Sequence, residues 1–416
     1  MDYLPRIADA SLGARLSSAG AVLIEGPRAC GKTSTARRQA TSEVRLDVDA
    51  SSRAALDVAP QALLAQPAPL LIDEWQVAPD IWNLVRRAVD DRQAKGQFIL
   101  TGSAQPVDDV ARHSGAGRFS VIRMRPMCLA ESGESSGRVS LSAVLAGHEQ
   151  SAPAVGLTMA ELASLLVRGG WPALLGRSGQ DCRQFLHDYL DQTCHLDLPA
   201  MAGRRRDPQK VRILLRSLAR HTASQAAIST IAADLSQFGE SIDRKTASTY
   251  MHALTRLLIL EQQPAWSPAL RSRAHTRVSP KHHLVDPSLA AEALGASAER
   301  LLRDPETFGL LFESLVIRDL RVLSEPLGAT VYHYRDNLGL EVDAVVQGPS
   351  GNWAAFEVKL GQRSIDAAAA TLLAFKGKVD TRLCGEPSAL GVITAEGPAY
   401  RRKDGVHVLP VSCLGP

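Results

Sequence analysis

The residues best suited to chemistry begin with a glycine-rich segment, GPRACGKT, which has the spacing GxxxxGK[ST]. Glycines let backbone N–H groups close around phosphate oxygens, the lysine reaches the outer phosphates, and the threonine hydroxyl ligates Mg²⁺. An apolar run precedes the segment and helix-forming residues follow it, which is the context that this motif requires. The pattern therefore predicts binding of ATP. The predicted nucleotide contacts are Gly26, Pro27, Arg28, Ala29, Cys30, Gly31, Lys32, Thr33 and Ser34.

Polar residues end two further apolar runs. In LLIDEWQ, Asp73 is predicted to hold Mg²⁺ together with Thr33, and the adjacent Glu74 to polarise the attacking water. In FILTGSA, Ser103 is predicted to sense the γ-phosphate, the alternative being a strand that simply ends in a turn. With Lys32 as a phosphate contact, these residues predict ATP hydrolysis.

An arginine is expected to stabilise charge during phosphoryl transfer, and Arg118 in the stretch SGAGRF is the candidate. It could act on its own site or on that of a neighbouring subunit, so a homo-oligomer is one expected state. Arg28, Arg123 and Arg125 are the competing candidates, and most arginines are solvated surface residues.

A second set of charged residues lies in EVDAVVQGPSGNWAAFEVKL. Strand alternation places Glu341 and Asp343 on one face, and Glu357 and Lys359 on one face of the next strand. If these strands are neighbours, Asp343 and Glu357 can share Mg²⁺, with Glu313 from a preceding helix completing the carboxylate set. Lys359 would then lower the pKa of the metal-bound water or steady the developing phosphorane charge. The alternative is a solvated salt bridge on a half-exposed strand.

These residues need three kinds of element to position them. Three buried strands separated by helical stretches predict a parallel α/β sheet with the nucleotide at the carboxyl ends of its strands. A central region of short helices follows the loop-like stretches ESGESSGRVS and EQSAPAVG, in which Trp171, Phe185 and Tyr189 are expected to be core residues. The last part of the chain alternates a long amphipathic helix with strands and predicts a second α/β domain.

The central region is strongly basic. Between Met201 and His283 there are 14 Lys and Arg against 5 Asp and Glu, whereas the whole chain has a net charge of only +3. A short helix, a turn at Gly239 and a longer helix opening on Arg244 resemble a winged helix-turn-helix. The segment therefore predicts binding of nucleic acid, DNA in particular, and the alternative is a helical packing module with a solvated basic face. The predicted wing residues are Arg271, Arg273, Arg277 and Lys281.

Composition narrows the class of protein. An apolar share of 45% and a charged share of 22% over 416 residues are typical of soluble globular proteins with two or three domains. The longest apolar runs are too short to cross a bilayer, and the first residues lack the apolar stretch of a secretory signal. Six scattered cysteines without a CxxC pair are typical of reduced thiols. We therefore expect a cytoplasmic protein with no membrane partner.

Two resemblances add to this interpretation. The order of Glu313, EVD and FEVK is similar to the restriction-endonuclease-like PD-(D/E)xK pattern, with EVD in place of the nominal PD. GPRACGKT, LLIDEWQ, FILTGSA, AGR, GGWP, FES, EVD and FEVK together resemble a family of bacterial and archaeal AAA-type ATPases of unknown role with such a C-terminal domain. The resemblance implies ATP at the N-terminal motifs and metal chemistry at the C-terminal ones. Trp75 departs from that family, in a way expected to affect strand packing.

The expected fold class is α/β, with a P-loop AAA-type parallel sheet, a central helical and winged-helix-like region, and a restriction-endonuclease-like domain. The expected domains are an ATPase domain at 1–135, a linker and helical lid at 136–200, a winged-helix-like region at 201–290 and a nuclease-like domain at 291–416. The leading hypothesis is a DNA-acting ATPase that uses ATP and Mg²⁺ and controls a metal-dependent nuclease. The alternatives are an ATP-operated switch or scaffold with an inactive nuclease-like domain, which binds DNA or a protein, and a signalling ATPase whose basic region faces an acidic protein.

Overall fold

The structure is a computed structural model that describes residues 3–104, 114–154, 157–198, 207–237, 243–268 and 278–416. The chain divides into two compact units. The first is Met1–Pro126 with Arg256–Leu258, and the second is Met127–Thr255 with Ile259–Pro416. Across the described ranges, no helix combines the length and the apolar character needed to cross a lipid bilayer.

The first unit contains a five-stranded sheet in the order β2-β3-β4-β1-β5, in which every pair is parallel. Its strands are β1 (Ala21–Glu25), β2 (Ser42–Arg45), β3 (Leu70–Asp73), β4 (Phe98–Gly102) and β5 (Phe119–Arg123). The central strands β1, β3 and β4 are almost wholly buried, which explains their continuous apolar runs. The predicted parallel sheet is confirmed. Because β4 lies between β1 and β3, all three predicted polar strand ends meet at one edge.

Helices cover this sheet. They are α1 (Ile7–Leu16), α2 (Lys32–Arg37), α3 (Ala50–Val58), α4 (Pro60–Leu64) and α5 (Ile81–Arg92). Trp75, in a 3₁₀ turn after β3, is 2% exposed, and its ring centroid lies 5.0 Å from that of Trp82 on α5. Trp82 in turn stacks on Phe119 at 4.0 Å. Trp75 is therefore a packing residue, as expected.

The remaining helices lie after residue 126. They are α6 (Leu129–Ser132), α7 (Leu141–Leu145), α8 (Met159–Arg168), α9 (Gly179–Gln192), α10 (Pro208–Arg220), α11 (Ile228–Gln237), α12 (Arg244–Arg256), α13 (Pro287–Leu294), α14 (Ala298–Arg303), α15 (Pro305–Ser324), α16 (Ile365–Lys378) and α17 (Thr381–Cys384). Trp171 is fully buried, and its ring lies 4.7 Å from that of Tyr189 and 6.4 Å from that of Phe185. The predicted packing role of these aromatic residues is confirmed.

The later strands form a six-stranded mixed sheet in the order β13-β14-β12-β11-β10-β9. The strands after residue 126 are β6 (Val139–Ser140), β7 (Leu260–Gln263), β8 (Lys281–Leu284), β9 (Thr330–Arg335), β10 (Glu341–Gln347), β11 (Trp353–Lys359), β12 (Ala389–Thr394), β13 (Tyr400–Arg401), β14 (His407–Pro410) and β15 (Leu414–Gly415). Neighbours β9, β10 and β11 are antiparallel, while β11, β12 and β14 are parallel. This sheet is the predicted second α/β region.

From α10 to β8 the order of elements is helix α10, a β-bridge at Ser224, helices α11 and α12, and the paired strands β7 and β8. Ser224, after α10, forms an antiparallel bridge with His282 of β8, and β7 pairs with β8. The longer helix predicted to open on Arg244 is α12, which ends at Arg256. Leu258 follows with a positive φ of 60°, and LEQQ then forms strand β7. The predicted turn at Gly239 and the wing arginines lie outside the described residues.

The Gly- and Ser-rich stretch after residue 132 is more ordered than the sequence suggested. It contains β6 and α7, and β6 pairs in parallel with β15, with Val139 opposite Leu414. Val139 and Leu141 are buried, so a few apolar residues anchor a segment that was expected to be a loop or linker.

Candidate functional site

The glycine-rich segment joins β1 to α2, and the local geometry favours glycine at both Gly26 and Gly31. A Cβ atom on Gly26 would lie 2.3 Å from the carbonyl oxygen of Met124, which is closer than atoms can approach. Gly31 precedes α2 with a φ of 104°, a left-handed conformation that favours glycine. Cys30 is fully buried, whereas Arg28, Ala29 and Ser34 are exposed. The segment therefore wraps as a tight loop at the carboxyl end of β1.

Lys32 and Thr33 both lie at this edge of the sheet. Lys32 is 5% exposed, and its ammonium donates to the carbonyl of Pro27 at 2.9 Å, which keeps it within the loop. Thr33 Oγ1 donates to Asp73 Oδ1 at 2.8 Å, and Thr101 Oγ1 donates to the same carboxylate oxygen. Mg²⁺ prefers oxygen ligands and keeps several waters when it binds with phosphates. The hydroxyl of Thr33 and the carboxylate of Asp73 are placed to hold such an ion.

The carboxylate of Glu74 accepts hydrogen bonds from two side chains, and the backbone at this residue has an unusual conformation. Its backbone has a φ of 52°, unusual for a residue other than glycine. Ser103 Oγ donates to Glu74 Oε2 at 3.0 Å, and Gln76 Nε2 also donates to that oxygen. The structure thus brings together Glu74 and Ser103, both predicted from separate motifs. It adds Gln76, which lies in the stretch LLIDEWQ but had no predicted role.

A second residue that sequence reasoning missed is Arg6. The residue is 6% exposed, and its guanidinium donates to the carbonyl of Cys30 at 2.7 Å and to that of Arg125 at 2.8 Å. It therefore connects the phosphate-binding loop to the segment after β5. A single arginine before a helix carries no signal of this role.

Arg118 lies at the opposite edge of the sheet from the nucleotide motifs. Its carbonyl accepts from the N–H of Ala21, at the amino end of β1. Its guanidinium donates to Asp90 at 2.7 Å, and this hydrogen bond raises its pKa. Arg118 therefore does not reach the phosphate-binding loop of its own chain. Arg123 does lie at the right edge, opposite Glu25 in the strand register, with its Nη2 3.2 Å from Glu25 Oε1.

The predicted C-terminal residues also converge. Strands β10 and β11 are antiparallel neighbours with Ala344 opposite Phe356, a register that places Asp343 beside Glu357. Lys359 Nζ lies 2.7 Å from Glu357 Oε2 and 3.3 Å from Asp343 Oδ2. The sequence analysis placed Asp343 near Glu357 only if their strands are neighbours, and β10 and β11 are neighbours.

The sequence did not predict that Lys281 lies among these carboxylates. Its Nζ is 2.7 Å from Glu313 Oε1, 2.8 Å from Glu341 Oε1 and 3.6 Å from Asp343 Oδ1. Its side chain is 2% exposed, and every residue of β8 is buried. The prediction that Lys281 touches phosphates from a wing is therefore wrong.

Lys281, Lys359 and the carboxyl groups of Glu313, Glu341, Asp343 and Glu357 form the C-terminal cluster. Burial is the largest influence on the pKa values of Glu313, Asp343 and Glu357. It raises the pKa of Glu313 to about 8 and the pKa of Glu357 to about 7, in both cases helped by the neighbouring Asp343. Burial alone would also raise the pKa of Asp343, but Lys281 and then Lys359 bring it below its usual value. Asp343 is therefore the most acidic of these three carboxyl groups.

The C-terminal cluster does not fit the Mg²⁺ implied by the restriction-endonuclease-like resemblance. The inner oxygens of Glu313, Asp343 and Glu357 face ammonium groups of Lys281 and Lys359. Within the part of the chain that the structure describes, no group of three or more His, Cys, Asp or Glu side chains is arranged to hold a metal ion.

Three family models match the chain in succession. Residues 18–133 match an AAA domain, residues 159–300 a domain of unknown function (DUF8612), and residues 308–414 a domain of unknown function (DUF4143). The first match coincides with the sheet and phosphate-binding loop described above. Residues 18–133 therefore resemble an AAA domain in sequence and have the fold of a P-loop ATPase.

The chain is also similar to individual proteins and to solved structures. The uncharacterised proteins Mb2031c of Mycobacterium bovis and Rv2008c of Mycobacterium tuberculosis are each 27% identical over 359 residues, which cover 85% of this chain and 73% of theirs. The Walker-type ATPase PABY2304 of Pyrococcus abyssi is 13% identical with a TM-score of 0.42, covering 70% of this chain and 96% of that one. AMPPCP-bound DnaA from Aquifex aeolicus is 10% identical with a TM-score of 0.28, covering 60% and 86%.

Outside the AAA domain, helix α12 presents a polar face. Arg244, Lys245 and His252 are exposed on it. A cavity of about 310 Å³ lies against this face and the N-terminal end of α11, and its lining includes Arg244, Ser248, His252, Ser279 and His282. His282 is buried, and its Nδ1 has no hydrogen-bond partner within the described residues. Six of the 14 basic residues counted in this region, Arg204, Arg205, Arg206, Arg271, Arg273 and Arg277, lie outside the described residues.

Proposed function

We propose that this protein binds and hydrolyses ATP and that its nucleotide state controls how it binds DNA. The observation that carries the proposal is the hydrogen-bonded chain from Thr33 through Asp73 to Thr101. It lies at the edge of the sheet where Glu74 and Ser103 also meet. Nucleotides bind at this edge in parallel α/β sheets.

The site residues have separate roles in this proposal. Lys32 contacts the outer phosphates, exchanging its hydrogen bond to the Pro27 carbonyl for one to a phosphate oxygen. Thr33 and Asp73 hold Mg²⁺, which neutralises charge on the phosphates when it is bound. Glu74 orients the attacking water, and Ser103 and Gln76 fix the position of its carboxylate.

DNA binding is proposed for the region from α10 to β8. The order of helix, bridge, helix, helix and hairpin supports a winged-helix arrangement, in which α12 would be the helix that enters the major groove. Arg244 and Lys245 are exposed at the start of this helix, and the surrounding segment has an excess of nine positive charges. Such an excess favours an anionic partner. Cleavage of DNA is not included in this proposal.

The test measures ATP turnover and DNA binding on the same preparations of the full chain. We expect Lys32→Ala to lower turnover by about 100-fold or more, since it removes a charged contact to the transferred phosphate. For DNA, a fluorescent duplex is titrated at several salt concentrations with ATP, with ADP and without nucleotide. Arg244→Gln with Lys245→Gln should reduce the salt dependence of the binding constant by about two ion contacts.

The control is Lys376→Gln with Arg382→Gln, which also removes two positive charges, from exposed positions in α16 and α17. Wild-type turnover in Lys32→Ala would overturn the ATPase proposal. An equal loss of DNA affinity in the control pair, or DNA affinity that does not change with salt, would overturn the proposed DNA contact. DNA affinity that is the same with ATP, with ADP and without nucleotide would overturn the proposed control by nucleotide.

A further inference from the structure

The carboxylates of the C-terminal cluster meet around an ammonium group that the protein itself supplies. Lys281 Nζ lies 2.7 Å from Glu313 of α15 and 2.8 Å from Glu341 of β10. These are N–H···O hydrogen-bond distances, shortened as is usual between charged groups. The lysine side chain is 2% exposed, so its charge depends on these carboxylates for compensation.

The oxygens on the other side of the cluster also have N–H donors. Asp343 Oδ2 accepts from the backbone N–H of Val358 at 2.9 Å and from Lys359 Nζ at 3.3 Å. Asp343 Oδ1 faces Lys281 at 3.6 Å, and Glu357 Oε2 is 2.7 Å from Lys359. The aspartate is therefore engaged on both of its oxygens before any ion arrives.

A divalent ion and the Lys281 ammonium cannot share this position. Carboxylate oxygens bind Mg²⁺ or Ca²⁺ at about 2.0 to 2.6 Å, so the ion would have to occupy the space that Nζ fills. Two positive charges in contact with the same oxygens would also repel each other strongly in a buried site. Displacing the ammonium would leave a buried charge without a partner, which is costly.

We propose that Lys281 is the resident cation of this cluster and takes the position that a catalytic metal ion would take in a restriction-endonuclease-like site. The C-terminal domain then keeps the sheet and the carboxylates of such a site without binding a divalent metal there. The ammonium instead joins three elements, β8, α15 and β10, into one buried ionic contact. This proposal is independent of ATP and of DNA, so it can fail or succeed separately from the proposed function.

The experiment measures Mn²⁺ binding to the full chain in the absence of nucleotide, by electron paramagnetic resonance of the free ion. Lys281→Met keeps an unbranched side chain of similar length and removes the charge. We expect it to bind Mn²⁺ at least about tenfold more tightly than the wild type. Adding Asp343→Asn to Lys281→Met should return binding to the wild-type level, because it removes a ligand of the new site.

Lys376→Met is the matched control, since Lys376 pairs with Glu386 at an exposed position and its loss should create no metal site. Wild-type Mn²⁺ binding that Asp343→Asn abolishes would overturn the proposal. So would the absence of any gain in Lys281→Met, because the carboxylates would then not form a cation site. If Lys281→Met does not fold, Lys281→Met with Glu341→Gln removes one negative charge together with the positive one. The same gain is required of that double variant, with Glu313 and Asp343 as ligands.

Discussion

Three buried histidines lie on or beside the hairpin of β7 and β8. His283 Nδ1 lies 3.2 Å from Ser314 Oγ and its Nε2 lies 3.0 Å from Gln263 Oε1, contacts that a neutral ring can make. Burial lowers the pKa of His282 and His283, and it lowers the pKa of His333 to about 4. Each ring therefore stays neutral in the folded protein at pH values where it would be charged in the unfolded chain.

This difference predicts a pH-dependent contribution to stability from His333. Above about pH 6.5 the ring is neutral in both states and contributes no pH dependence. Between about pH 6.5 and 4 the unfolded chain binds a proton that the folded chain does not, so stability falls as the pH falls. From pH 7.5 to pH 5 the loss from this one ring is about 2 kcal/mol.

The measurement compares free energies of unfolding of wild type and His333→Gln by urea titration at both pH values. Other groups titrate in both proteins, so their effects cancel in the comparison. The variant should lose about 2 kcal/mol less than the wild type on acidification. His148→Gln, at an exposed position, should titrate like the wild type. Parallel pH profiles for wild type and His333→Gln would contradict the prediction.

The phosphate-binding loop shows how an element depends on its neighbours. Gly26 follows β1 and lies against the backbone after β5, where an added Cβ would be 2.3 Å from Met124 O and 3.0 Å from Cys30 Sγ. Arg6 fixes the same two segments by donating to carbonyls on both. These contacts restrict the conformations that the loop can adopt.

Gly26→Ala should displace the loop, because the close atom is backbone and cannot move aside cheaply. We expect ATP affinity to fall by about tenfold or more, and the chain to lose about 1–3 kcal/mol of stability. The measurements are nucleotide binding by calorimetry and unfolding in urea. Gly13→Ala is the matched control, because that glycine lies inside α1 and its Cβ would meet only the flexible end of the Gln39 side chain. The control should be neutral or slightly stabilising, and wild-type ATP affinity in Gly26→Ala would refute the role of the close contact.

In the second unit, residues near its beginning pair with residues near its end. Strand β15 pairs with β6, Ser135 Oγ donates to the carbonyl of Leu414 at 2.6 Å, and Ser136 N donates to that of Ser412 at 2.8 Å. Leu414 is 3% exposed. Ser135 and Leu414 are 279 residues apart in the sequence. Two distant segments of the chain therefore pack against each other.

Leu414→Ala should therefore destabilise the second unit as a whole. Truncating a buried leucine removes apolar contacts and leaves a cavity, at a cost of about 2–5 kcal/mol. Leu383→Ala, at a position that is 66% exposed, should change stability by less than about 0.5 kcal/mol. Thermal unfolding of both variants provides the measurement. Equal melting temperatures would show that the β6–β15 contact contributes little.

Much of the AAA domain could be predicted from short stretches of sequence. GPRACGKT, LLIDEWQ and FILTGSA each end an apolar strand, and the parallel sheet brings their polar residues to one edge. Asp343, Glu357 and Lys359 were predicted for the same reason, since strand alternation and one hairpin-like pairing place them together. Chemistry that depends on spacing within an element, or on the ends of adjacent strands, can be recognised in a linear sequence.

Contacts between segments that are far apart in the sequence could not be predicted from a short sequence pattern. Lys281 was expected to be a surface residue in a basic stretch, yet it is buried against Glu313 and Glu341, which come from elements much further along the chain. Arg6 reaches a carbonyl 119 residues away, and Arg118 lies at the wrong edge of the sheet for its own nucleotide site. Charge and residue type indicate that a lysine needs an anionic partner. Which carboxylates it finds depends on how β8 packs against α15 and β10, and that packing is set by the apolar core around them.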